Sequence, residues 1–210
     1  MKINIPNSWH GVTIREFQEV TAILKEAKEK RESLAKEDIP QFDHETECVL
    51  ISTLSGKSID DILSQPMGVH NHLMNQLGFL FNPVEGKLRK RFKVNGQRYY
   101  VETNPKRIDG GQFTTLMHFT KDEEKIDANL HNLLACFCNR RKWYESKGKY
   151  DGKIHNDVAA DMLDLPITIA KPITDFFLSD YLSYLKNTAR YLEYMGRGMK
   201  TLAKIRVAKA

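Results

Sequence analysis

Residues 89–102 read RKRFKVNGQRYYVE, two alternating runs around Asn95-Gly96. Asn-Gly supplies two consecutive residues that tolerate positive φ, as a type I′ turn demands, so the segment reads as a β-hairpin. Phe92 and Val94 fall on one face before the turn, and Tyr99 and Val101 are their expected partners after it. Around this hairpin the apolar residues recur mainly at three and four positions, the period of amphipathic helices. The chain therefore reads as α+β and predominantly helical, with a central hairpin near residues 88–102 and a long C-terminal helix.

Upstream, Ile3 and Ile5 alternate with polar residues before Pro6 and suggest a short strand. Thr13 with Glu16 forms a capping-box pattern, opening a helix whose apolar stripe is Ile14, Phe17, Val20, Leu24 and Ala27. Its charged second half, from Lys25 to Glu32, is expected to protrude or fray. A second helix is expected from Asp43, through Cys48, Val49, Ile51 and Leu54, to Gly56, a residue suited to a left-handed helix end. Ser58 with Asp61 starts a short helix closed by Pro66, and Val69, Leu73, Leu77 and Leu80 mark another. Residues 43–80 thus form a compact helical unit with a structural job.

Downstream, Asn104-Pro105 breaks the strand pattern, and Phe113, Leu116, Met117 and Thr120 return to helical spacing. Leu130, Leu133, Leu134 and Phe137 make a further stripe. Val158, Met162 and Leu165 suggest a short helix stopped at Pro166. From Thr174, the residues Phe177, Leu178, Tyr181, Leu182, Leu185, Ala189 and Leu192 predict the long helix, which runs to about Gly196. The expected organisation is one domain over residues 1–185, followed at 186–210 by the helix end and a basic arm.

Charge sharpens that division. The 210-residue chain has a formal charge of +5. Between Lys186 and the C-terminus stand Lys186, Arg190, Arg197, Lys200, Lys204, Arg206 and Lys209 against Glu193, a net of +6 that leaves the body at −1. Within the arm, Arg197, Lys200, Leu202, Lys204, Ile205 and Arg206 are the candidate partner-binding residues. Such a segment can dock an acidic protein surface, bind nucleic-acid phosphates or keep the end soluble. Around the hairpin, Lys87, Arg89, Lys90, Arg91, Lys93 and Arg98 form the alternative nucleic-acid site. The apolar and charged fractions, 41% and 28%, are those of a folded chain. No apolar run reaches the length that spans a bilayer, so no membrane role is expected.

Catalytic signals are weak. No glycine-rich loop carries the Lys and Ser/Thr of a phosphate site, and Gly110-Gly111 is too short a match. His70 and His72, like Cys136 and Cys138, are two apart, a spacing that separates side chains on a helix. Neither a metal nor a cofactor is expected, and no catalytic residue is assigned. His44 lies four before Cys48 and is placed to touch it, although contact alone does not make a reactive thiolate. Asp122, Glu123 and Glu124 read as a solvated connection. Three cysteines cannot all pair within one chain, which suits a reducing compartment.

Five phrases in this order, IPNSWHGVTIREFQEV, FKVNGQRYYVE, IDGGQFTTLMHF, NLHNLLACF and LPITIAKPITDFFL, resemble small virion-associated or tail-assembly proteins of crAss-like and related phages of Bacteroidetes. The likeness covers most of residues 1–185 and is one of apolar and turn positions, without a catalytic signature. It implies a non-enzymatic role as a portal or tail ring subunit, a protein packed in the virion or a tail assembly chaperone. Implied with it are other phage virion or tail proteins as partners, homo-oligomerisation, residence in the host cytoplasm during assembly and then in the virion. DNA contact through the basic arm and hairpin is the alternative.

Overall fold

The computed structural model describes residues 3–104, 107–141 and 149–181. It is an α+β structure, mostly helical, with one small antiparallel sheet. The first helix, α1, spans Ile14–Arg31 and opens with the capping box of Thr13 and Glu16. Its charged half neither protrudes nor frays: the helix stays intact to Arg31, packs along α2 (Ile39–Ser55), and Arg31 meets Asp43 at 3.0 Å. The start of α2 lies four residues before the expected Asp43, because Pro40 falls in the first turn, where a missing amide costs nothing. Gly56 ends it at φ 64°. Ser58 caps α3 (Ile59–Leu63), and α4 (Met67–Gln76) follows Pro66.

The hairpin forms with Asn95 at φ 48° and Gly96 at φ 74°. Strand β1 (Arg91–Val94) pairs with β2 (Gln97–Val101) so that Phe92 faces Tyr99. A third strand, β3 (Cys138–Arg140), which the sequence reading lacked, pairs with the far side of β2 and puts Val101 opposite Cys138. It leaves β1 as an edge. Helix α5 (Gly110–Thr120) begins at a second capping box, Asp109 with Gln112, and α6 (Leu130–Phe137) runs directly into β3. Next come α7 (His155–Leu163) and α8 (Ile167–Phe176), which starts immediately after Pro166 instead of at Thr174 and continues as a π-helical turn to Tyr181. The rest of the expected C-terminal helix and the basic arm lie outside the described residues.

The Ile3–Ile5 segment is not a strand. Ile5 is buried, and the N-terminal chain pairs one step later, where Thr13 forms an antiparallel bridge with Pro166. Ile14 donates to the Leu165 carbonyl and Ile167 to that of Val12, both at 2.9 Å.

Two apolar cores result. One joins the sheet to α5–α8 through Tyr99, Val101, Leu130, Leu134, Phe137, Met162 and Ile167. The other unites α2, α3 and α4 through Cys48, Leu50, Ile51, Leu54, Ile62 and Leu73. Helix α1 belongs to both, since Ile14 and Phe17 enter the first and Val20 the second.

Candidate interaction surfaces

The hairpin is held by a polar hub on α7. Tyr99, wholly buried, donates its hydroxyl proton to Asp161, and Arg140 of β3 donates to the same carboxylate at 2.8 Å. Asn95, at the turn, donates to Asp161 at 3.2 Å and to Asp164 at 2.9 Å. Burial works against the Asp161 charge, but the hydrogen bonds from Tyr99, Arg140 and Asn95 outweigh it and hold the carboxyl below its usual range. Burial and the Asp161 bond together push the Tyr99 phenol well up, so it stays a donor.

This anchoring uses the hairpin face that carries Tyr99 and leaves Arg91, Lys93 and Arg98 on the other. Lys87, Arg89, Lys90, Arg91, Lys93 and Arg98 are all exposed. Lys93 stands directly opposite Arg98 in the register. Like charges in that position repel and cost stability. Charged residues also guard an edge strand against pairing with another sheet, and β1 is such an edge. Lys87 and Arg89 line an open cleft of about 900 Å³ against α8, with Thr168, Pro172 and Asp175 across from them. The loop reaches α8 so closely at Gly86 that a Cβ there would collide with the Thr168 carbonyl and lie 2.8 Å from Pro172 Cγ.

The second surface is apolar. Ile59 and Leu63, one turn apart on α3, are exposed, Leu63 to 55%, as are Met67 to 59% and Val69 at the start of α4. Phe81, just beyond α4, is exposed to 76%. Five of the eight large exposed apolar side chains of the described residues thus fall between residues 59 and 81, with Leu88, Phe113 and Met117 elsewhere. Periodicity alone marks residues 43–80 as structural, because it does not distinguish apolar positions that face the core from those that face solvent.

The partner-binding candidates Arg197, Lys200, Leu202, Lys204, Ile205 and Arg206 lie outside the described residues. Cys136 and Cys138 are buried on α6 and β3, and burial pushes the Cys136 thiol up to about 12. His72 is exposed and contacts Gln76. His44 does touch Cys48, Nε2 to Sγ 3.9 Å, and His70 from α4 joins them with its ring centre 4.6 Å from that of His44. Burial, and after it the Glu47 and Glu45 charges, raises the Cys48 thiol above its ordinary value.

Fold and surfaces together define a mostly helical α+β protein with a basic edge hairpin and a stretch, residues 59–81, rich in exposed apolar side chains. No family model matches the chain, and comparisons with curated proteins and with solved structures gave no match either. No helix of the described residues is long and apolar enough to cross a membrane.

Proposed function

We propose that the chain is a non-enzymatic building or assembly component of a phage particle, working through protein–protein contacts with copies of itself and with other virion or tail proteins. The observation that carries this is the concentration of exposed large apolar side chains, Ile59, Leu63, Met67, Val69 and Phe81, within one short stretch of the chain. Large apolar side chains concentrated on one surface are a mark of association sites. In a closed ring such a contact repeats at every subunit, so a modest interface suffices. The sequence resemblance supplies the phage setting, in the host cytoplasm during assembly and then in the particle.

Light scattering on the purified full chain tests it. An oligomer that shifts toward monomer in the double variant Leu63→Glu, Met67→Glu supports the reading. A strict monomer that also leaves virion proteins unbound sinks it.

A second reading, DNA binding, is favoured by the Lys93–Arg98 opposition, since a phosphate between the two would relieve their repulsion. Each phosphate neutralised contributes about 0.9 to the slope of log K against log salt. Binding that falls steeply with salt, and weakens both in Lys93→Glu and on removal of residues 196–210, would put this reading first.

A further inference from the structure

The contact of His44 with Cys48 is a local consequence of helix geometry, because residues four apart share a face. His70 is different. It comes from α4, is nearly fully buried, and brings one ring nitrogen within 4.8 Å of both the Cys48 sulfur and a nitrogen of His44. The group of three potential ligands is the one such cluster among the described residues.

We propose that His44, Cys48 and His70 form a binding site for a transition-metal ion with a preference for mixed nitrogen and sulfur ligands, zinc above all, and that the ion clips α2 to α4. Tetrahedral zinc with ordinary bond lengths sets its nitrogen and sulfur ligands about 3.4–3.6 Å apart. The Nε2–Sγ separation of 3.9 Å therefore needs to close by a few tenths of an ångström, and the other separations, up to 4.8 Å, by as much as about an ångström. Two imidazoles and a thiolate suit zinc or cobalt better than the hard cations magnesium and calcium.

Glu47 strengthens the case independently. Its carboxylate accepts from His70 Nε2 at 2.8 Å. Metal-bound histidines commonly hold their other ring nitrogen to a carboxylate in this way, which fixes the tautomer and makes the ligating nitrogen more basic. In the proposed site Nε2 keeps its proton toward Glu47, which leaves Nδ1 as the His70 ring nitrogen for the metal. His44 is half-buried, so the ion reaches the site from solvent on that side, and water completes the tetrahedron. On binding, the Cys48 thiol releases its proton to solvent as the sulfur–metal bond forms.

Cobalt titration of the metal-stripped full chain is the decisive measurement, because a cysteine ligand produces thiolate-to-cobalt charge-transfer absorption in the near ultraviolet. The expected result is a one-to-one complex showing that absorption and displaced by zinc. The band should vanish in Cys48→Ser and persist in Cys136→Ser and Cys138→Ser. His44→Ala, at a half-exposed position that spares the fold, should weaken binding at least tenfold, and Glu47→Gln by about 10–100-fold. The absence of a charge-transfer band from the unmutated protein in excess cobalt, or its survival in Cys48→Ser, overturns the proposal.

Discussion

The core around the sheet and the core of residues 39–80 use the same aliphatic side chains but assemble by different routes. Around the sheet, Tyr99, Leu134 and the neighbouring pair Met162 and Ile167 come from three distant stretches, and the elements are cross-tied by polar contacts. Asp161 gathers Tyr99, Arg140 and Asn95, while Gln112 donates to the Cys136 carbonyl at 2.8 Å and joins α5 to α6. In the helical lobe, α2, α3 and α4 follow one another directly and cover a smaller core, leaving Leu63 and Met67 outside. The polar tie there is the His44, Cys48, His70 and Glu47 group. We expect from this difference that the sheet core is the cooperative centre and that the lobe opens on its own.

Truncating each core should break this comparison most forcefully. Leu134→Ala and Ile51→Ala each remove a wholly buried aliphatic side chain and should each cost about 2–5 kcal/mol. Their hydrogen-exchange patterns should differ. Ile51→Ala should speed exchange in residues 39–80 while β1, β2 and α6 remain protected, and Leu134→Ala should lower protection in both regions. Uniform loss of protection in Ile51→Ala would mean that the two cores open as one.

The hub gives a smaller effect with a pH signature. Asp161→Ala leaves Arg140 without its carboxylate and the buried Tyr99 hydroxyl without an acceptor, at a cost of about 2–3 kcal/mol in a urea melt. Because the folded Asp161 carboxyl titrates below its unfolded range, its contribution is present above that range, near pH 4, and is lost as pH falls through the folded value. His131 and His155 act earlier. Burial lowers both, so neutral imidazole is favoured in the fold, and stability declines as pH drops below about 6.5, their ordinary unfolded value. A melt series from pH 7 to 3 should therefore show a first decline that survives Asp161→Ala and a second that disappears in it.

Local chemistry explains what was legible. Asn95-Gly96, Thr13 with Glu16, Ser58 and Gly56 each specify a turn or helix end through their own neighbours, and all four stand where they were expected. The Asp109–Gln112 box carries the same kind of signal, masked by the two glycines between its partners. Strand β3 was hidden because three residues cannot display alternation, and only the unpaired edge of β2 recruits them. Helix α8 was hidden because Pro166 reads as a stop when it serves equally well as the residue before a start. At the metal-ligand cluster, the spacing of His44 and Cys48 was visible, but their meeting with His70 depends on how α4 folds back onto α2. Spacing along the chain separates His70 from His72 on the same helix and says nothing of His44, which lies 26 residues away.

The smallest test separates the regions by their helix caps. Thr13 accepts from the Glu16 amide, and the Glu16 carboxylate accepts from the Thr13 amide at 2.7 Å, at the place where α1 enters the sheet core and bridges to Pro166. Ser58 accepts from Asp61 at 3.1 Å on a helix of only five residues at the surface of the lobe. Thr13→Ala should cost about 1–2 kcal/mol of global stability, the upper part of the range for a lost cap, because the same amide and hydroxyl also set the path into the core. Ser58→Ala should cost about 0.5 kcal/mol and show itself chiefly as faster exchange within α3 and α4. Equal global losses would place α3 inside the cooperative centre and erase the distinction between the cores. A Ser58→Ala effect confined to α3 and α4, together with a Thr13→Ala effect felt across α1, β2 and α7, would keep α3 outside the cooperative centre and place the start of α1 within it.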